Sequence, residues 1–165
     1  MLNWKTNYSA ACFVVLLAVS ICGRLLFAQN SPENIGWFAQ TGATRALNYT
    51  QGDGKSFVDA RDLFTVEGWA DFIKHMESWL DEKGNPKSSS VFSSMGDAIV
   101  KNEANGATRV IIAGVLKQEL RNAYGGTSTS TYRIVADVLV GGSPSKILRL
   151  ETRTCGSATT AASCQ

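Results

Sequence analysis

The sequence predicts an α+β fold, and three observations carry that expectation. One stretch has the apolar periodicity of an amphipathic helix. The segments after it are rich in β-forming residues and divided by glycine turns. The longest apolar run is confined to the first 28 residues, ahead of both.

The helix is the clearest element. Trp69, Phe72, Ile73, Met76, Trp79 and Leu80 recur at spacings of 3, 4, 7, 10 and 11 from Trp69, which lines one face of a helix. Asp71, Lys74, Glu77 and Asp81 lie off that stripe. Thr65 is placed to cap its start, Gly84 is a natural residue to follow its end, and Pro86 prevents continuation. Just upstream, Ser56 with Asp59 three residues on resembles a capping box for a short helix through Leu63. Residues 29–55, rich in Gly, Asn, Gln and Thr, read as a lead-in of loops with at most one short element.

From Ser89 onward the pattern is β. Ser89–Val100, Thr108–Leu120, Thr129–Val140 and Lys146–Thr154 are separated by turns at Glu103–Gly106, Asn122–Thr127 and Gly141–Pro144. Three or four strands joined by such short turns form an antiparallel meander, on one face of which the helix stripe would rest. In the last strand, Ile147 and Arg149 should face one side, and Leu148, Leu150 and Thr152 the other.

The N-terminal segment directs export. Met1–Tyr8 holds one base, Lys5, and no acid, and an apolar run follows from Ala10 to Cys22. This describes a signal peptide ending at Ala28, although Leu26 is bulkier than the small residue usual three positions before cleavage. The alternative is an uncleaved anchor from about Tyr8 to Phe27, with Arg24 snorkelling to the interface. The chain thus reads as signal or anchor 1–28, lead-in 29–55, α+β domain 56–154 and tail 155–165. Membrane contact is expected only through the first of these.

Charge excludes one class of partner. Lys5 and Arg24 belong to the N-terminal segment, leaving 14 basic against 14 acidic residues beyond it. A neutral domain lacks the electrostatic footprint for nucleic acid. Cys12 and Cys22 lie in the apolar segment, so Cys155 and Cys164 are the pair available to close a short C-terminal loop in an oxidising compartment. That loop would restrain a tail otherwise prone to fray.

Catalytic chemistry is not legible. His75 is the one histidine and reads as a partly packed surface residue; no nucleophile elbow, zinc-binding HExxH pair, P-loop or dinucleotide fingerprint occurs. Asp59 and Asp62 read as a capping and a solvated carboxylate. No catalytic, cofactor-binding or metal-ligating residue is assigned, and no cofactor is expected. Asn48-Tyr49-Thr50 fits a glycosylation sequon, relevant in a eukaryotic secretory pathway. Of the large rings, most should be core, and Trp or Phe at the helix ends are the candidates for an exposed anchor.

The run Asp59-Ala60-Arg61-Asp62-Leu63-Phe64-Thr65-Val66-Glu67-Gly68-Trp69-Ala70-Asp71-Phe72 resembles the motif of the DotI/IcmL family. Phe64-Thr65, the triplet Glu67-Gly68-Trp69 and Phe72 fill the motif's places, with Val66 where Pro is common. Leu47-Asn48-Tyr49 is similar to its lead-in, and the likeness covers roughly residues 45–154. The resemblance implies an NTF2-like domain, helices cupped by a curved antiparallel sheet. It also implies an assembly or scaffold component of a type IVB secretion or conjugation system. Such a component is not an enzyme; it acts at the inner membrane or in the periplasm through contacts with other envelope proteins, often as a homo-oligomer. The residues themselves leave a second reading open, a periplasmic module holding a small ligand in an apolar pocket.

Overall fold

The computed structural model describes residues 31–155. The chain divides into two compact units, Met1–Asn34 and Ile35–Gln165. The described part of the first is the opening turn of one helix, and the rest of the fold belongs to the second. The signal or anchor segment, Cys12, Cys22 and Cys164 lie outside the described residues.

Among the described residues three α-helices precede five strands: α1 (Pro32–Leu47), α2 (Gly54–Val58), α3 (Val66–Met76), β1 (Ser89–Ser94), β2 (Ile99–Asn102), β3 (Thr108–Arg121), β4 (Thr127–Gly141) and β5 (Lys146–Thr154). The strands form one antiparallel sheet in the order β1-β3-β4-β5, with β2 also pairing β3. The α+β class therefore holds, with five strands where three or four were expected.

The extra strand comes from a break. Ser94 pairs with Gly114 and Ile99 with Ile111, so Met95–Ala98 bulge out opposite Ala113 and Ile112. Gly96 supplies the positive φ of 73° that the bulge requires. β1 and β2 thus run one after the other along the same edge of β3.

One face of the sheet is the core. Val110 and Ile112 of β3, Ala136, Val138 and Val140 of β4, and Ile147 and Leu150 of β5 are buried, together with Ala39, Ala43, Ala46, Phe64, Phe72 and Met76 from the helical side. Strict alternation would put Ile147 and Leu150 on opposite faces. A register shift between Leu139 and Val140 places Val140 opposite Ile147 and Leu139 opposite Arg149. Leu148 is the extra residue, and Ile147 and Leu150 both reach the core.

α1 is the largest departure from the sequence expectation, which placed loops there. Its buried side is made of small residues, Gly36, Ala39, Gly42, Ala43 and Ala46, before Leu47. A search for large apolar residues misses such a stripe, yet small residues are what let a helix lie close. A Cβ on Gly42 would run into the Ile147 side chain, and one on Gly36 would meet Val100 Cγ2 at 3.3 Å. The start signals are conventional: Ser31 Oγ accepts from Asn34 N, Pro32 opens the helix and Glu33 lies in its first turn.

Two smaller corrections concern caps. Asp53, not Ser56, caps α2, accepting from Lys55 N at 2.9 Å. α3 ends at Met76, and a 3-10 turn, Glu77–Trp79, comes after it. Gly84 serves the tight turn beyond, where Asp81 Oδ1 accepts from Lys83 N and Asn85 N, each at 2.8 Å. Those backbone bonds, led by the one from Asn85, hold the Asp81 carboxyl below its ordinary range.

Candidate functional site

The residues Phe64 to Phe72 form the joint between the helical layer and the edge of the sheet. Phe64 makes a parallel bridge to Ile147, and Thr65 N donates to Ile147 O at 3.0 Å. The chain therefore adds one residue of pairing to the free side of β5 before it turns into α3. Thr65 makes that turn, its Oγ1 accepting from Gly68 N at 3.1 Å, as the sequence predicted. Glu67, in the first turn, is exposed and complements the positive end of the helix.

Gly68 lets the two elements touch. A Cβ there would lie 2.7 Å from both Ile147 O and Leu148 O, closer than real Cβ atoms come to a carbonyl. Only glycine allows the first turn of α3 to rest on β5 backbone. Above this contact three rings meet. Phe64 and Trp69 pack edge to face with centroids 5.4 Å apart, Phe64 stacks on Phe72 at 5.5 Å, and Trp69 lies 5.6 Å from Phe72. Phe64 and Phe72 are buried, and Trp69 is partly so. The structure thus brings together Phe64, Thr65, Gly68, Trp69 and Phe72, and points Glu67 at solvent.

Leu47-Asn48-Tyr49 makes a second joint at the opposite edge. Tyr49 and Ser90 exchange backbone hydrogen bonds of 3.1 and 2.8 Å, and Asn48 Oδ1 accepts from Phe92 N. Asn48 is thereby half-buried and engaged. Burial raises the Tyr49 phenol above its ordinary range, and hydrogen bonds with Gln118 and Ser90 oppose that rise.

The sheet face away from the helices carries an ion pair that sequence reasoning passed over. Arg109 Nε donates to Asp137 Oδ1 at 2.9 Å and Oδ2 at 3.1 Å, and its Nη2 also reaches Oδ2. Asp137 is 3% exposed, and Arg153 lies 3.9 Å away. The hydrogen bonds from Arg109 hold the Asp137 carboxyl below its ordinary range against the opposing effect of burial, and the same bonds raise Arg109. The signal available in the sequence was an acid inside the apolar run Ile134–Val140. Its partner, 28 residues earlier in the chain, becomes visible only through the β3–β4 register.

Other candidates do not converge. His75 is exposed on α3. Asp59 and Asp62 border an open groove of about 770 Å³ with Thr44, Arg45, Asn48, Val58 and Arg61. Among the described residues no group of three or more His, Cys, Asp or Glu side chains could hold a metal ion. Among them, too, no helix is long and apolar enough to cross a membrane. Trp37 is 70% exposed and Trp79 41%, so two of the rings expected mostly in the core lie on the surface. Cys155 is buried just past β5.

No protein-family model and no curated protein matches the sequence. Two solved structures match the fold. One is an IcmL-like type IV secretion system protein from Legionella pneumophila, with a TM-score of 0.56 and 7% identity over 78% of this chain and 96% of that one. The other is a periplasmic fragment of TraM, with a TM-score of 0.52 and 11% identity over 76% of this chain and 98% of that one. At these identities the likeness is one of fold. The resemblance read from Phe64-Thr65-Val66-Glu67-Gly68-Trp69 is therefore joined by a structural match to an IcmL-like type IV secretion system protein.

Proposed function

We propose that this protein is a non-enzymatic assembly or scaffold component of a bacterial type IV secretion or conjugation apparatus of the IVB, Dot/Icm-like kind. It acts in the periplasm by protein–protein contacts, and its domain is of the NTF2-like, curved-sheet kind. The observation that carries the reading is the agreement of two independent signals. The fold matches an IcmL-like secretion protein at an identity too low for sequence search to find. The short motif read from sequence lies in the segment that joins α3 to β5, where Phe64 bridges Ile147 and Gly68 rests on the β5 backbone, and that placement supports the reading.

The N-terminal segment delivers the domain, either as a cleaved signal peptide or as an inner-membrane anchor. Cys155 and Cys164 form the disulfide that secures the C-terminal tail. The partners are other envelope components of the machine. The role needs surfaces, and exposed Trp37 on α1 and Trp79 after α3 are of the residue type that anchors protein interfaces.

The test is crosslinking in cells that express the tagged protein at its native level, followed by identification of what is co-purified. Recovery of other envelope components of a secretion machine is expected. Emergence of the protein alone, from cells in which the machine is present, would remove the scaffold reading.

A further inference from the structure

We propose that two copies of this chain pair through the outer edge of β4 at Thr127–Thr131, in antiparallel register about Thr129. The inference does not rest on the secretion assignment and concerns the purified chain alone.

β4 is longer than its neighbour on one side. β3 pairs with it along Thr127–Val140, whereas pairing with β5 starts at Ile134. Two hydrogen bonds fix which backbone groups face the open side. Gly126 O accepts from Asn122 N at 2.9 Å, so Gly126 turns toward β3; Arg133 O accepts from Cys155 N at 2.8 Å, so Arg133 turns away from it. Alternation between these points directs Ser128, Ser130 and Tyr132 to β3 and leaves Thr127, Thr129 and Thr131 with N–H and C=O on the open edge. Every residue from Thr127 to Tyr132 is exposed.

Exposed edges invite pairing and are commonly blunted by charge, proline, a bulge or a covering segment. Elsewhere in this sheet such devices are present. Phe64 bridges β5 at Ile147, Tyr49 bridges β1 at Ser90, and Met95–Ala98 bulge between β1 and β2. Thr127–Thr131 has no charge, proline or bulge and among the described residues no covering segment.

The choice of a second copy comes from the sequence of the edge. Thr-Ser-Thr-Ser-Thr is a palindrome, and an isologous two-fold contact needs a self-complementary surface. About Thr129 the pairs are Thr127 with Thr131, Ser128 with Ser130, and Thr129 with its equivalent. Thr–Thr and Ser–Ser pairs are compatible cross-strand neighbours, and no like charges meet. The outward-facing threonines then exchange about six inter-chain hydrogen bonds. The length also fits: the partner strand turns away at its own Gly126 before reaching Arg133, where Cys155 already occupies the edge. Five paired residues bury less than the ~1,200 Å² of a stable complex, so the dimer is weak, with a dissociation constant of roughly 10 µM to 1 mM.

The experiment is sedimentation equilibrium of the full exported chain over about 10 µM to 1 mM, in detergent if the N-terminal segment is retained. Three variants accompany it. Thr129→Pro removes an outward N–H that β3 does not use, Thr129→Lys sets two cations face to face on the two-fold axis, and Thr129→Val keeps the backbone intact. Expected are concentration-dependent dimers for the native chain and Thr129→Val. A dissociation constant raised at least about tenfold is expected for Pro and Lys, with thermal stability of the Lys variant unchanged. Should Thr129→Pro fail to fold, the Lys variant decides alone. A native chain monomeric throughout the range overturns the proposal. So does a dimer indifferent to the Lys variant, which must use another surface. Hydrogen-exchange protection of the Thr127, Thr129 and Thr131 amides in the monomer also overturns it, because the edge would then be filled from within the chain.

Discussion

Gly68→Ala tests the helix–sheet joint with the smallest perturbation available. The added Cβ would sit 2.7 Å from Ile147 O and from Leu148 O, against 3.4 Å or more for ordinary contact. These atoms are backbone of a strand held by β4, so the neighbour cannot rotate aside. α3 must retreat by about 0.7 Å, which stretches the 3.0 Å bond from Thr65 N to Ile147 O and loosens the three-ring cluster. Overpacking of this kind costs about 1–3 kcal/mol, and the weakened hydrogen bond adds about 1 kcal/mol. Alanine returns at most about 1 kcal/mol through helix propensity. The net loss is about 1–3 kcal/mol. In urea, with a slope of about 1–3 kcal/mol/M, the midpoint should fall by roughly 0.3–3 M. Gly36→Ala provides the contrast, because its Cβ meets a Val100 methyl that can shift, at 3.3 Å; there the midpoint should hold or rise. A Gly68→Ala midpoint equal to or above the native one would refute the reasoning, since it would show that close approach to β5 does not require glycine.

The same geometry sets three further outcomes. Phe64→Ala removes a buried ring that contacts both Trp69 and Phe72 and should cost about 3–5 kcal/mol by denaturant titration; a loss under about 1 kcal/mol would mean that the cluster is not core. The Asp137 carboxyl lies below its ordinary range in the folded protein. Its stabilising contribution is therefore complete above the unfolded value of about 3.9 and is lost as pH falls toward the folded one. Asp137→Asn should flatten the decline of stability below about pH 4, measured as thermal midpoint against pH, and an unchanged acid limb would contradict the pairing with Arg109. Non-reducing peptide mapping of the protein isolated from its native host should recover Cys155 linked to Cys164; labelling of both thiols without prior reduction would exclude the disulfide.

Local chemistry made much of this protein legible in its sequence. The threonine cap, the stripe as far as Met76, the β-rich character after Ser89 and the glycine turns are short-range signals that appear in the structure. Trp79 and Leu80 of the expected stripe, by contrast, fall beyond the α-helix, and Ser89–Val100 is divided between two strands. The motif from Phe64 to Phe72 was legible as a pattern, although its meaning was not. What sequence alone left undecided depends on neighbours distant along the chain. α1 hides because glycine and alanine on a helix carry little hydrophobic signal. Only the surface they meet, Ile147 and Val100, shows that smallness is the requirement. The bulge at Leu148 defeats alternation because one inserted residue reverses every side chain beyond it, and nothing in Lys146–Thr154 announces the insertion. Arg109 finds Asp137 only after β3 and β4 have set their register. Gly68 and the open edge at Thr127–Thr131 are the same lesson seen from two sides. A residue's own chemistry sets which local structure it favours. How close another backbone comes, and whether one comes at all, is decided by tertiary packing.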